Sequence, residues 1–267
     1  MVSIKSLTVY SVLALPSVAR NVPENVKAFR QAILAQEHCK NSLAGGFYSS
    51  DDADGSSVYC GVHVKDYGVI YLQGTNGRLV NMDIDCDGEQ GGPADDGRCG
   101  SSSDTQSQTS FQDQVASYDT GIQDLNANVH PYVVFGNDGS KPGWKTFRPQ
   151  DHGIEPLSVM AVVCGDKLIY GVWGDTNGDD GEKPVVGEAS ISLATACFGH
   201  GVNGNSGHDE TDVLYIAFTG KDAVPGAKGA RWAASNYDEF ESSITPLGDK
   251  LIQRIKGRTA RCLAKSN

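Results

Sequence analysis

The stretch "LSVMAVVCGDKLIYGVWG" (157–174) decides the fold class. Its two apolar runs, 157–164 and 167–174, are rich in Val, Ile and aromatic residues, and only Gly165-Asp166 stands between them. Runs this short, joined by a two-residue turn of that type, read as a β-hairpin. Working outward, short apolar runs recur in "GVIYLQG" (68–74), "LVNMDID" (79–85), "HPYVVFG" (130–136), "EASISLA" (188–194) and "DVLYIAFTG" (212–220), and each is read as a strand. Helical spacing is confined to the two ends. Val26, Phe29, Ala32, Ile33 and Gln36 predict an amphipathic helix over about 24–38. The tail "SNYDEFESSITPLGDKLIQRIKG" is helical on both sides of Pro246, which should break or kink it. A doubly wound parallel fold needs a helix after nearly every strand, and those helices are missing. The expectation is a mainly β chain: a single β-barrel-like domain with peripheral helices at the N- and C-terminal ends.

The chain opens "MVSIKSLTVYSVLALPSVARN". Lys5, an apolar stretch from Leu7 to Leu15, then Pro16, Ser17 and Ala19 read as a secretory signal peptide over residues 1–19. The apolar run is too short to span a bilayer, so no membrane association is expected and the chain should be extracellular. Seven cysteines occur, with no C-x-x-C to suggest a zinc knuckle. Secretion favours disulfides. Several connectivities are open, and sequence order favours Cys86–Cys99 around the polar, Gly/Ser-rich stretch 85–110, then Cys39–Cys60 and Cys164–Cys197, leaving Cys262 over. The formal net charge of −11 argues against nucleic acid as a partner. It suits a polycationic substrate, and equally a protein kept soluble by charge.

Several chemistries are excluded by absence of motif: there is no G-x-S-x-G, no H-E-x-x-H and no Walker loop. His200, Ser206, His208 and Asp209 crowd into "GHGVNGNSGHDETD", whereas a serine triad draws its members from distant segments. "DIDCDG" (83–88) matches the first positions of an EF-hand loop but has Ala94 where the twelfth ligand belongs, and "DTNGDD" (175–180) fails sooner. No metal is expected at either. Asp175 stands at the exit of the second hairpin strand and Glu188 opens "EASISLA". If those strands are neighbours and the loop between them folds back, both carboxylates reach one rim. A glycosidase needs such a pair: one acid for the leaving oxygen and one carboxylate to activate water or attack carbon. The thirteen-position gap with a looped excursion predicts the wider, water-admitting separation of ~6.5–9.5 Å.

"MDIDCDG", "ADDGRCGSSSDTQSQTSF", "DLNANVHPYVVFGN", "PLSVMAVVC", "LIYGVWGDTNGD" and "VGEASISLATACFG" resemble the fungal chitosanases of glycoside hydrolase family 75, from about Cys39 to the C-terminal helix. The resemblance implies that Asp175 and Glu188 are the essential carboxylates. It implies endo-hydrolysis of the β-1,4 bonds of chitosan with inversion, and no cofactor, by a catalytic domain over 20–267. Asp83, Asp85, Asp179 and Asp180 are then candidates to meet substrate ammonium groups, with Asp51 and Asp54 further off; the alternative for each is a solvated surface acid. Glu188 is assigned as general acid and Asp175 as base, since Glu has the higher reference pKa, ~4.3 against ~3.9, and burial raises it. The exchanged assignment stays open. A monomer is expected. The alternative from another class is a secreted carbohydrate-binding β-domain, calcium-stabilised, but Trp144, Trp173 and Trp232 form no aromatic stripe.

Overall fold

The computed structural model describes residues 20–49, 54–178 and 181–256. The signal-peptide segment, Asp51, Asp179, Asp180 and Cys262 lie outside these. In chain order the elements are β1 (Arg20–Asn21), α1 (Glu24–Leu34), β2 (Ser42–Phe47), β3 (Ser57–Cys60), α2 (Val64–Tyr67), β4 (Val69–Gln73) and β5 (Val80–Asp85). There follow α3 (Gln112–Ser117), β6 (Tyr132–Asn137), β7 (Val159–Cys164), β8 (Lys167–Asn177), β9 (Glu188–Ser190), α4 (Ile191–Phe198), β10 (His208–Phe218), α5 (Gly226–Gly229) and α6 (Tyr237–Ile252).

The hairpin forms as read. β7 and β8 pair antiparallel from Val159↔Val172 to Cys164↔Lys167, and Gly165 turns the chain with φ +61°. From this hairpin six strands close a ring of hydrogen bonds in the order β7–β8–β6–β9–β5–β10 and back to β7. The ring is mixed: β5 with β9 and β6 with β8 run parallel. β4, β3 and β2 continue the sheet from the C-terminal part of β10, and β1 borders β8. All six residues of β6 and of β7 are buried, which is why their sequences show apolar runs instead of clean alternation.

The end helices cover this sheet. α1 buries Val26, Phe29 and Ile33 on one stripe and stops at Leu34, short of the expected 38, where Gln36 N–H takes the tighter bond to Ile33 O. α6 buries Phe240, Ile244, Leu251 and Ile252, and brings Gly248 so close to the Tyr170 ring that a Cβ would lie 2.5 Å from it. Pro246 does not divide α6. The carbonyl it leaves unpaired belongs to Ser242, which is exposed and can bond water. A second correction concerns 188–194. Only Glu188–Ser190 is strand; Ser190 then caps α4, its Oγ accepting from Leu193 N–H at 3.4 Å. All three favoured disulfides are formed: Cys39–Cys60, Cys86–Cys99 and Cys164–Cys197. Among the described residues no helix is long and apolar enough to cross a membrane.

Candidate active site

A β-bulge aims the first carboxylate. Between parallel β6 and β8 the register runs Val133↔Trp173 and then Val134↔Asp175, so Gly174 is the extra residue. Without it Asp175 would point to the opposite face. A Cβ at Gly174 would lie 2.5 Å from Tyr132 Cβ and 2.7 Å from Leu125 Cδ1, so only glycine fits. On the other side of β6, Val134 pairs with Glu188, and Glu188 pairs with Asp83 of β5. A row Asp175–Val134–Glu188–Asp83 therefore crosses four strands on one face. Strand alternation adds Tyr132, Ser190 and Asp85 to that face. β8 and β9 are not neighbours, because β6 stands between them. Two strand spacings of ~4.8 Å place the Cα atoms of Asp175 and Glu188 at most roughly 10 Å apart, and the curvature of the closed ring shortens this.

Asp175 is 6% exposed. Its Oδ1 accepts three bonds: from Ser110 N–H at 3.0 Å, from Thr176 N–H at 2.7 Å and from the Ser110 hydroxyl. The Trp173 indole donates to the Asp175 carbonyl at 2.8 Å and fixes the backbone there. Burial, then the charge of Asp85, push the Asp175 carboxyl up to about 7, against the pull of these donors. Glu188 is partly buried, and among the described residues its Oε2 accepts from the Asn177 amide. Burial, then Asp85 and Asp83, raise it well above the usual carboxylate range. Asp85 Oδ1 accepts from Asp87 N–H at 2.7 Å and from the Tyr132 hydroxyl at 2.9 Å. Burial and then Asp87 push it up to about 7. Asp85, Asp87 and Asp175 present carboxylate oxygens within 4.8 Å of one another.

The stretch 86–110 walls this cleft. Cys86–Cys99 closes its outer part. Fully buried Asp124 grips its return, accepting from Thr109 N–H at 2.7 Å, Thr109 hydroxyl at 2.6 Å and Leu125 N–H at 2.7 Å, which holds the adjacent Ser110 against Asp175. Gln106 N–H donates to Asp87 Oδ1 at 2.6 Å. Asp85, Asp87, Asp104, Asp175, Asn177 and Glu188 line one depression.

Of the sequence candidates, Asp83, Asp85, Asp175 and Glu188 thus come together. Asp83 and Asp85 lie on strand β5, not in an EF-hand loop. Asp54 does not line the depression; it is exposed and pairs with Arg78 at 3.6 Å. His208 lies between Asp212, at 2.8 Å, and Glu210, at 3.2 Å, and stacks on Phe198; His200 approaches Asp96 at 3.6 Å. Sequence reasoning missed Ser110, Asn177, Tyr132 and Asp87. All four stand inside motif segments quoted above, Asp87 within the EF-hand-like run, but without the fold nothing joins them to the carboxylates of the site.

A family model described as fungal chitosanase of glycosyl hydrolase group 75 matches residues 82–254. A protein of Aspergillus fumigatus named endo-chitosanase is 46% identical over 246 residues, covering 91% of this chain and 95% of its own. An endo-chitosanase of Aspergillus oryzae is 44% identical over 246 residues, with 91% and 96% covered. An endo-chitosanase B of the same organism is 44% identical over 248 residues, with 91% and 95% covered.

Proposed function

The chain belongs to the fungal chitosanases of glycosyl hydrolase group 75, and we propose that it is a secreted, monomeric endo-chitosanase whose mature domain, 20–267, cuts β-1,4 bonds with inversion. The observation that carries the reading is the placement of Asp175 and Glu188 on one face with a single strand between them. A strand between them leaves room for the ~6.5–9.5 Å carboxyl separation of an inverting pair, wider than the ~5–5.5 Å of a retaining one. The closed strand ring reads as a small barrel that holds the pair rigidly.

Glu188, raised by burial and by two neighbouring acids and met by one donor, keeps its proton and gives it to the leaving glycosidic oxygen. Asp175, met by three donors on Oδ1, is the better-stabilised anion, and its Oδ2 takes a proton from the attacking water. Water oxygen bonds to the anomeric carbon as the bond to the leaving oxygen breaks. Asp83 and Asp85 set negative charge beside the pair for the substrate ammonium groups, which neutral chitin lacks, and Asp179 and Asp180 are assigned to substrate binding with them.

The test is to incubate wild type, Asp175→Asn and Glu188→Gln with chitosan, chitin and carboxymethylcellulose, following viscosity and reducing ends. Wild type should thin chitosan quickly and spare the others. Each variant should lose about 10²-fold or more of turnover while still binding chitosan. Binding without cleavage by wild type would turn the reading to a carbohydrate-binding domain. Retention of roughly a tenth of turnover by either variant would remove that residue from its role.

A further inference from the structure

Asp85 stands closer to the reaction than a charge that merely attracts ammonium would need to. It shares a sheet face with Asp175 and Glu188. It is held as Asp175 is held: one oxygen anchored, the other turned loose. Asp85 Oδ1 is taken by Asp87 N–H and the Tyr132 hydroxyl, and Asp175 Oδ1 by Ser110 and Thr176. Among the described residues no hydrogen bond reaches Oδ2 of either. Carboxylate oxygens of the two lie within 4.8 Å of each other. A water bonded at ~2.8 Å to two acceptors, with its hydrogens at the tetrahedral angle, spans roughly 4.6 Å between them.

Resting on the function proposed above, we infer that Asp85 and Asp175 together hold the attacking water, Asp85 accepting one of its hydrogens and Asp175 the other. With both hydrogens engaged, a lone pair is left to face the anomeric carbon. In the step itself the oxygen of this water bonds to that carbon and one proton passes to Asp175. The bond to the leaving oxygen breaks with its electron pair, and that oxygen takes the proton of Glu188. Asp85 keeps its hydrogen bond throughout and gains no proton. The Tyr132 hydroxyl, which also lies 3.1 Å from the Asp87 carbonyl, ties Asp85 to β6, the strand between the two carboxylates of the pair. The charge of Asp85 helps to raise Asp175, as two acids reading one water should.

The test is steady-state kinetics of Asp85→Asn on a soluble glucosamine oligosaccharide, beside wild type and Asp175→Asn. Asparagine keeps an oxygen for Tyr132 and Asp87 N–H but turns an NH2 donor toward the water, whose hydrogen then has no acceptor. The expected result is a loss of about 10²-fold in kcat, the scale of a 1 Å misplacement, with KM changed less than about twofold. An unchanged kcat, or a raised KM alone, would overturn the inference and leave Asp85 an ammonium contact. If Asp85→Asn does not fold, Tyr132→Phe frees the anchor from the other side. It should lower kcat selectively, and an unchanged kcat there would equally overturn the inference. Failure of the functional reading shows separately, as a wild type inactive on chitosan.

Discussion

Replacing Ser110 by alanine removes the hydroxyl that donates to Asp175 Oδ1 but spares the backbone N–H that donates beside it at 3.0 Å. The base keeps two of its three donors. A hydrogen bond to a charged group is worth about 1.5–3 kcal/mol, and about 1.4 kcal/mol of differential stabilisation moves a pKa by one. Asp175, held at about 7 in the intact site, should therefore move up by roughly 1–2. The sign is fixed by the chemistry: a base works only when ionised, so a higher pKa moves the acidic limb of the pH–rate profile to higher pH. Near pH 6 the ionised fraction falls about 10- to 100-fold, and activity falls with it. Because the ionised fraction of the variant recovers as pH rises, its deficit should shrink toward higher pH. The assay is kcat/KM against pH on a soluble glucosamine oligosaccharide. A loss equal at every pH would mean that the hydroxyl positions the carboxylate without tuning it, and an unmoved limb would refute the argument.

Three further outcomes follow from the same charges. Asp85 and Asp175, pushed up to about 7, and Glu188, raised well above its usual range, hold protons that the unfolded chain releases at a lower pH. For the two aspartates this contribution to stability is fully present below about pH 4 and is lost as pH rises through about 7; Glu188, raised further from its usual range, adds to the same fall. Calorimetry should show a thermal midpoint falling over that window, and Glu188→Gln should flatten the fall; a variant that tracks wild type would show that Glu188 adds nothing to it. Rising salt should raise KM on polymeric chitosan severalfold with a smaller effect on kcat, since screening shortens the reach of cleft acids to about 8 Å near physiological ionic strength; a salt-independent KM would remove charge from substrate choice. Chelation by EDTA should leave activity unchanged, because Asp83 and Asp85 lie on a strand and Ala94 stands where an EF-hand needs its last ligand; calcium-restored activity would reverse that.

Much of this molecule is written locally, and what is local could be read. The 157–174 hairpin has its turn residues between two apolar runs. The disulfides join cysteines adjacent in sequence order. Asp175 lies near the end of β8 and Glu188 opens β9, both inside distinctive segments. What escaped reading depends on distant partners. β1 has two residues, β2 is interrupted by Gly45-Gly46, and β3 has four residues, so none carries enough pattern to stand alone. "EASISLA" alternates like a strand because two strand residues and a capping serine run straight into a helix whose first turn is apolar. Ser110 meets Asp175 across 65 positions and Tyr132 meets Asp85 across 47, which no spacing rule anticipates. The placement of β6 between the two carboxylate strands is likewise a matter of topology, and it sets the separation on which the stereochemistry turns.

That separation is tested most directly by proton NMR of a fresh digest of β-linked glucosamine oligosaccharide, read before mutarotation. A water held at Asp175 attacks the face opposite the leaving group, so the account predicts α-anomers as the first products. Initial β-anomers would mean a covalent glycosyl-enzyme and a nucleophilic carboxylate, and would contradict it.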